Sequence, residues 1–336
     1  MKTNLPFPVL TAQEAVSLVN NGDTVAFSGF SPAGAAKAVP MALAQRARDE
    51  HGKGNPFRVR ILTGASSGQI IDDEMAKSEA ISWRAPYQSG ATLRKQINDQ
   101  QVEYVDMHLS HVPQAVAYGF FGRIDLAVIE ATEITADGRV YLTTSIGASP
   151  TYLRYADRVL IEINHSQSQR LREMADIFVM PPPPHRNPIP IRDPLTRIGW
   201  PYAVVDPKKV VGVVESDEPD QTTEFTAPGG AGERIAGHVV GFLMNEMHAG
   251  RIPKDFLPLQ AGVGNVANGV MAALGANPDI PPFWMYSEVF QDAMADLMAD
   301  GKLLGASATS LTLSFSKLKQ IIDDMGFYAP KIVLRP

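Results

Sequence analysis

Two short segments near the end of this 336-residue chain carry residue types that could perform acyl transfer. Gln260–Asn268 reads QAGVGNVAN, and its glycines favour a turn that exposes backbone N–H groups. Met285–Asp292 reads MYSEVFQD and places a carboxylate, Glu288, among apolar and uncharged neighbours. A carboxylate can attack an activated acyl carbon while N–H donors hold the oxyanion that forms. The sequence therefore predicts that Glu288 is a nucleophile, and the absence of cysteine excludes a thiolate in that role.

The position of Glu288 between predicted elements supports this interpretation. It follows the predicted strand Phe283–Tyr286 and precedes the predicted helix Phe290–Ala299. Open α/β sheets place their sites at the carboxyl ends of strands, and a helix N-terminus favours an ionised carboxylate. A free glutamate has a pKa of about 4.3, so Glu288 would need no general base at neutral pH. The alternative is an ordinary surface glutamate at the start of a helix.

Gly262–Ala267 also fits the GxGxxA dinucleotide fingerprint, after a predicted strand and at the start of a predicted helix. A dinucleotide site needs an acidic residue about 20 residues further on, at the end of the next strand. Only Glu288 stands near that place. The more general interpretation is a nest of backbone N–H groups that faces an anion.

Gly64–Gly68 fits the GxSxG nucleophile elbow, which makes a serine hydrolase with Ser66 as nucleophile the main rival. The acid and base would be Asp157 and then His238 or His248. Both histidines fall on one predicted helix rather than in a recognisable catalytic loop. The alternative is a simple Gly/Ser turn between a strand and a helix.

Two other groups of residues are candidate ligand sites. His108 and His111 are spaced i, i+3, but further ligands cannot be named, so the sequence predicts no metal site. Arg84 lies in the aromatic loop Trp83–Ser89, where it could bind a carboxylate or cover a hydrophobic edge.

The elements that must position these residues alternate between short strands and amphipathic helices, which predicts an α/β fold. The predicted strands are Thr24–Phe27, Phe57–Thr63, Tyr104–Leu109, Leu126–Glu130, Val159–Ile163, Val210–Glu215, Leu257–Gln260, Phe283–Tyr286 and Leu303–Ala308. The predicted helices are Thr11–Val19, Ala35–Glu50, Gln69–Ala76, Arg234–His248, Val266–Leu274 and Phe290–Ala299.

The polar segment Ser216–Gly232 divides the chain into two predicted α/β domains, residues 1–218 and 219–336. We expect the second domain to be incomplete, because it is too short to close its sheet. Its first helix is predicted to bury one apolar face, formed by Ile235, Val239, Phe242, Leu243 and Met247.

The composition is that of an ordinary globular protein, with 45% hydrophobic and 20% charged residues. A net charge of -6 argues against a nucleic-acid partner. No apolar run reaches the roughly 20 residues of a membrane span, and the N-terminus lacks the apolar core of a signal peptide. The absence of cysteine excludes disulfides and thiolate metal sites and fits a cytoplasmic protein.

Five longer motifs, in order, carry a resemblance to a known family. They are Phe27–Gly34 (FSGFSPAG), Leu62–Ser66 (LTGAS), Trp83–Ser89 (WRAPYQS), Leu257–Asn265 (LPLQAGVGN) and Tyr286–Asp292 (YSEVFQD). From about residue 11 to 336 the chain resembles the acetyl-CoA hydrolase and succinate CoA-transferase family of the class I type. Within that family it looks most similar to the propionyl-CoA:succinate CoA-transferases. The resemblance implies two open α/β domains of the NagB/RpiA-like type.

The resemblance also implies roles for individual residues. Glu288 falls on the family's catalytic glutamate, and Val263 falls on a backbone N–H of its oxyanion hole, next to Gly264. Gly34 and Ser66 fall in loops of the N-terminal domain that face the active site. The further residues expected to face substrate or CoA are Gly262, Asn265 and Arg84.

By the same resemblance, the chain is expected to move CoA between a short acyl-CoA and a carboxylic acid through a glutamyl-CoA thioester. The acyl-CoA would be propionyl-, acetyl- or succinyl-CoA, and the acid succinate, acetate or propionate. Acetyl-CoA hydrolysis on the same glutamate is the alternative. Water must be kept away from Glu288, because either covalent intermediate would hydrolyse. CoA then enters as a substrate, with no tightly bound cofactor, and the family suggests a homodimer.

Members of this family continue well past Pro336. The resemblance implies that their additional part carries a second oxyanion donor and a Gly-rich CoA-binding segment. We therefore expect this chain by itself to turn over well below about 1 per second, and a non-catalytic fragment is the remaining alternative.

Overall fold

The computed structural model describes residues 6–222, 229–253, 256 and 258–336, which fall into two compact units. Unit 1 comprises Met1–Pro188, Gly199–Gln221 and Pro336, and unit 2 comprises Ile189–Ile198 and Thr222–Arg335. The boundary expected between residues 218 and 219 lies close to this division. The sequence did not indicate that Ile189–Ile198 belongs with the second unit.

Unit 1 is built on a nine-stranded, mostly parallel sheet. Its strands are β1 (Thr24–Phe27), β2 (Val59–Leu62), β3 (Ile81–Ala85), β4 (Glu103–Tyr104), β5 (Leu126–Ile134), β6 (Arg139–Leu142), β7 (Arg158–Asn164), β8 (Ala203–Val204) and β9 (Val210–Ser216). The parallel order is β4-β3-β2-β1-β5-β7-β9. The end of β5 also pairs antiparallel with β6, which pairs with β8.

Helices cover both faces of this sheet, since every residue of β1 is buried. They are α1 (Ala12–Val16), α2 (Ala38–Gly52), α3 (Met75–Lys77), α4 (Ala91–Asn98), α5 (Val112–Ala117) and α6 (Ser149–Tyr155), and a π-helical segment, Ile70–Glu74, precedes α3. The predicted capping box at the start of α1 is confirmed, because Thr11 and Glu14 each bond the other's backbone N–H. The alternation of these helices with the strands of a mostly parallel sheet confirms the predicted α/β class.

A buried network of charged groups fixes the start of α2. Lys37 is 2% exposed, and its Nζ donates to Glu130 Oε2 at 2.5 Å and to Asp220 Oδ1 at 2.9 Å. Asp220 also accepts the backbone N–H of Gly34 at 3.2 Å. Burial raises the pKa of Glu130 to about 7. Burial alone would lower the pKa of Lys37, but the two carboxylates more than offset this and raise it above its ordinary value.

Unit 2 contains a three-stranded parallel sheet in the order β10-β12-β14 and a two-stranded sheet of β11 and β13. These strands are β10 (Phe283–Tyr286), β11 (Val289–Phe290), β12 (Leu303–Ala308), β13 (Ser310–Leu311) and β14 (Ile332–Leu334). Its helices are α7 (Gly230–His248), α8 (Asn265–Ala276), α9 (Asp292–Ala299), α10 (Phe315–Asp323) and α11 (Met325–Tyr328). Gly275 lets α8 approach α9 closely, because a Cβ there would lie 2.2 Å from Leu297 Cδ2.

Three predicted strands, β1, β10 and β12, are confirmed with their predicted bounds. The strand predicted at Tyr104–Leu109 is wrong. Only Glu103–Tyr104 pairs with β3, at the edge of the sheet, and Leu109–His111 forms a 3₁₀ turn. Residues 105–111 are exposed or half-buried, so the segment lacks the burial that would extend a central strand.

The apolar face predicted for the first helix of unit 2 is only partly correct: its residues Val239, Leu243 and Met247 are half-buried. The buried residues of α7 are Ala236 and Val240, whereas Ile235 and Phe242 are 44% and 61% exposed. Helix α7 packs against α8 within unit 2. Among the helices in the described ranges, none combines the length and apolar character needed to cross a membrane.

Candidate active site

Glu288 lies at the carboxyl end of β10, in the turn that leads into β11. Its backbone is held firmly, because the N–H of Ser287 donates to Ser307 O and the N–H of Thr309 donates to Glu288 O, each at 2.9 Å. Helix α9 begins later than predicted. Val289 and Phe290 are fully buried and pair with β13 instead, so β11 separates Glu288 from the helix N-terminus.

The Glu288 side chain is exposed, although nearby atoms remove enough water for burial to raise its pKa above the ordinary value. The environment is therefore wetter than the dry one expected from the sequence. A raised pKa makes a carboxylate more basic, which favours nucleophilic attack while the group is ionised.

The glycine turn precedes α8 and presents N–H groups to solvent. Gly264 is the N-cap of α8 with φ of 131°, a conformation that side chains with a Cβ rarely adopt. Val263 is 53% exposed, and Gly262 and Asn265 are exposed. Within the described ranges, neither Val263 N–H nor Gly264 N–H donates a hydrogen bond. These two N–H groups therefore have no hydrogen-bond acceptor among the described residues.

Side-chain hydrogen bonds join this turn to the Glu288 segment. Ser287 Oγ donates to Ala261 O at 3.2 Å and accepts the Ala261 N–H at 3.4 Å. Gln291 Nε2 donates to Gly262 O at 2.9 Å. The structure thus brings the two predicted segments together within unit 2.

The strand predicted at Leu257–Gln260 is only partly testable, since Leu257 lies outside the described residues. Leu259 makes one parallel bridge with Met285 of β10, with hydrogen bonds of 2.9 Å on both sides. This bridge places the chain that enters the glycine turn beside β10.

Arg84, which the sequence predicts to face substrate or CoA, has internal partners in this structure. Its side chain is fully buried, and its Nε and Nη2 donate to Asp72 Oδ1 at 3.1 and 2.9 Å. Nη1 and Nη2 also donate to the carbonyls of Ala85 and Ala65. The guanidinium is therefore committed to an internal carboxylate and is closed to a substrate carboxylate in this structure.

The two other predicted residues of unit 1 also have internal partners. Ser66 Oγ donates to Asp72 Oδ2 at 2.6 Å and shares a 2.5 Å hydrogen bond with Ser89 Oγ. Neither partner is a histidine. Ser66 therefore has no hydrogen bond to the general base that the nucleophile-elbow alternative requires. Gly34 accepts the Ser28 hydroxyl at 2.9 Å, and its N–H is bound to Asp220.

The histidine pair forms a ring contact rather than a metal site. The rings of His108 and His111 meet edge to face, with centroids 5.5 Å apart. The ranges that the structure describes contain no cluster of three or more His, Cys, Asp or Glu side chains suited to a metal ion.

Sequence reasoning missed Ser287 and Gln291 as residues of this site. Gln291 is the N-cap of α9, a position that favours Ser, Thr, Asp or Asn, yet its side chain makes no cap hydrogen bond. The helix was predicted to begin at Phe290, which placed Gln291 inside it, where glutamine is a common residue, so the sequence offered no signal of this role.

The chain is similar to known proteins over most of its length. Residues 3–215 match the family described as the acetyl-CoA hydrolase/transferase N-terminal domain. Over 327 residues, it is 50% identical to the propanoyl-CoA:succinate CoA transferase of Escherichia coli strain K12, covering 97% of this chain and 66% of the relative. It is 38% identical to an acetyl-CoA hydrolase of Schizosaccharomyces pombe, covering 96% of this chain and 62% of the relative. The chain thus spans 62–66% of the length of these relatives.

A solved structure shares the fold at low sequence identity. RipA from Yersinia pestis superimposes with a TM-score of 0.70 at 19% identity, covering 98% of this chain and 69% of that one.

Proposed function

This chain belongs to the acetyl-CoA hydrolase/transferase family, and on that premise we propose that it transfers CoA between a short acyl-CoA and a carboxylic acid through Glu288. The observation that carries the proposal is the attachment of the glycine turn to the Glu288 segment by Ser287 and Gln291. Propionyl-, acetyl- and succinyl-CoA are the proposed donors, and succinate, acetate and propionate are the proposed acceptors.

In the first step, a carboxylate oxygen of Glu288 attacks the thioester carbon of the acyl-CoA. The carbonyl oxygen becomes an oxyanion that the N–H groups of Val263 and Gly264 stabilise, and one such donor is worth about 10²–10³ in rate. The C–S bond then breaks, CoA leaves as a thiolate and Glu288 holds the acyl group as a mixed anhydride. No proton has to move, because the negative charge passes from the carboxylate to the thiolate.

In the second step, the thiolate attacks the Glu288 carbonyl carbon and the acid leaves as a carboxylate. The product is a glutamyl-CoA thioester. An incoming carboxylate attacks this thioester, forms a new anhydride, and the thiolate then takes the new acyl group. Since a carboxylate is a weak nucleophile, binding energy from the distant part of CoA has to contribute to the barrier.

The test of this function is the fate of CoA when an acceptor acid is present. With propionyl-CoA and succinate, we expect succinyl-CoA to form, and chromatography of the CoA species measures it. Omitting succinate is the control and should stop the loss of propionyl-CoA. Absence of both succinyl-CoA and free CoA would contradict catalysis and favour the non-catalytic alternative.

Hydrolysis of a short acyl-CoA is the second candidate, and the exposure of Glu288 favours it. Water that reaches the anhydride or the thioester releases the acid and free CoA. Accumulation of free CoA at equal rates with and without succinate would assign the chain to hydrolysis.

The reaction should depend on pH through Glu288, which must be ionised to attack. Burial raises the pKa of Glu288, so we expect the acid limb of kcat/KM above the ordinary glutamate value of about 4.3. The value of kcat/KM reaches its maximum above the pKa of Glu288, where the carboxylate is ionised, and falls as the pH decreases through that pKa. Initial rates between about pH 4 and 8 measure the limb, and a midpoint at or below the ordinary value would contradict the assignment.

We further propose that the protein acts in the cytoplasm as a homodimer, with CoA as a substrate and without a metal, a nucleic-acid partner or a membrane partner. The family resemblance supports the dimer, and the net charge of -6 supports the absence of nucleic acid.

A further inference from the structure

Gln291 occupies the N-cap position of α9, but its side chain does not cap the helix. Its carbonyl accepts the N–H groups of Met294 and Ala295, as an N-cap residue should, but its side chain makes no cap hydrogen bond. The side chain is 1% exposed, and its Nε2 reaches across to Gly262 O at 2.9 Å. The fold therefore directs this amide to the glycine turn rather than to its own helix.

The arrangement is not one that stability alone would select. Gln291 Oε1 is buried without a hydrogen-bond partner in the part of the chain that the structure describes. A buried acceptor without a donor is destabilising, because it has lost its hydrogen bonds to water and gained none in the protein. An asparagine, serine or aspartate at this position would cap the helix.

The consequence of the Gln291 contact follows from peptide geometry. Gly262 C=O and Val263 N–H belong to one planar, trans peptide group, so they point in opposite directions. A donor that holds the Gly262 carbonyl therefore fixes the direction of the Val263 N–H. The neighbouring peptide is held in the same way, because Ser287 Oγ donates to Ala261 O at 3.2 Å.

We propose that Gln291 is a positioning residue that aims the Val263 N–H at the oxyanion formed when Glu288 attacks. This inference rests on the proposed function. Residues 287 and 291 lie on either side of Glu288 in the chain. Backbone hydrogen bonds join the segment between them to residues 307–312. The nucleophile and the oxyanion donor are thus set on one rigid block, with Gln291 as the link to the donor.

Gln291→Met tests this role, since it keeps the length and apolar volume of the side chain but removes the amide. We expect the maximal rate of CoA-adduct formation on the protein to fall about 10- to 100-fold, with KM within about twofold. The matched control is Gln96→Met in unit 1, whose Nε2 also donates to a backbone carbonyl, that of Ala76, at 2.8 Å. The control should keep the wild-type rate, and an unchanged rate in Gln291→Met would overturn the proposal.

A second measurement does not depend on turnover. We expect the ¹⁵N order parameter of the Val263 amide to fall from about 0.85 to below about 0.6 in Gln291→Met but not in Gln96→Met. An order parameter that stays high in Gln291→Met would overturn the positioning role whatever the activity. By contrast, a wild-type chain that forms no adduct while its Val263 amide is rigid would overturn the proposed function alone.

Gln291→Glu supplies a pH signature that a merely structural role would not give. A protonated carboxyl can donate to Gly262 O, whereas an ionised carboxylate can only accept and repels that carbonyl. The rate of Gln291→Glu relative to wild type should therefore rise as pH falls. A ratio independent of pH would contradict the donor role.

Discussion

Glu288→Gln is expected to prevent the covalent attachment of CoA, with a rate of formation about 10⁴-fold or more below wild type. The amide preserves the shape of the side chain but offers no anionic oxygen to the thioester carbon. Mass spectrometry of the intact protein after mixing with acyl-CoA measures the effect. Wild type should gain the mass of CoA less one water at Glu288, and this product is detectable even where turnover is slow.

The matched control for this prediction is Glu233→Gln. Glu233 is an exposed glutamate in the first turn of α7 in the same unit, so its loss should leave adduct formation unchanged. Both variants should keep the wild-type Tm, because both side chains are exposed. A CoA adduct that persists in Glu288→Gln would refute the assignment of the nucleophile. An acyl group found on Ser66 instead would support the nucleophile-elbow alternative.

Lys37→Met is expected to lower the free energy of unfolding by about 3–5 kcal/mol. The ammonium of Lys37 compensates Glu130 and Asp220, which are 1% and 6% exposed in their buried network. Without it, the chain must bury a carboxylate that lacks its cation or protonate that carboxylate, and either outcome costs free energy. Urea unfolding followed by tryptophan fluorescence measures the loss.

Lys77→Met provides the comparison for a surface pair. Lys77 is 55% exposed and pairs with Glu74 at 2.7 Å, so its removal should cost less than about 1 kcal/mol. The double variant Lys37→Met/Glu130→Gln should recover part of the loss, because one uncompensated charge is then absent. Equal costs for Lys37→Met and Lys77→Met would show that the buried network does not stabilise unit 1.

Features that depend on neighbouring residues could be predicted from the sequence. Thr11 and Glu14 form their capping box, and β1, β10 and β12 have the predicted bounds, because burial of a short apolar run is a local signal. The glycine turn and Glu288 could be proposed as a site for the same reason. A glycine that must adopt a positive φ and a carboxylate in an uncharged run are both visible in a few residues.

Contacts between residues that are distant in the chain could be seen only in the folded structure. Asp220 binds Lys37 from 183 positions away, and Gln291 binds Gly262 from 29 positions away. Hydrophobic periodicity predicts elements but not their partners, so it included Ile235 and Phe242 in the buried face of α7, although both are exposed. The motif around Arg84 likewise gave no sign of its internal partner. Packing in unit 1 closed Arg84 onto Asp72, and packing in unit 2 turned the amide of Gln291 away from its own helix and onto the turn beside Glu288. Such pairings depend on strand order and helix placement, which are properties of the whole fold rather than of any one segment.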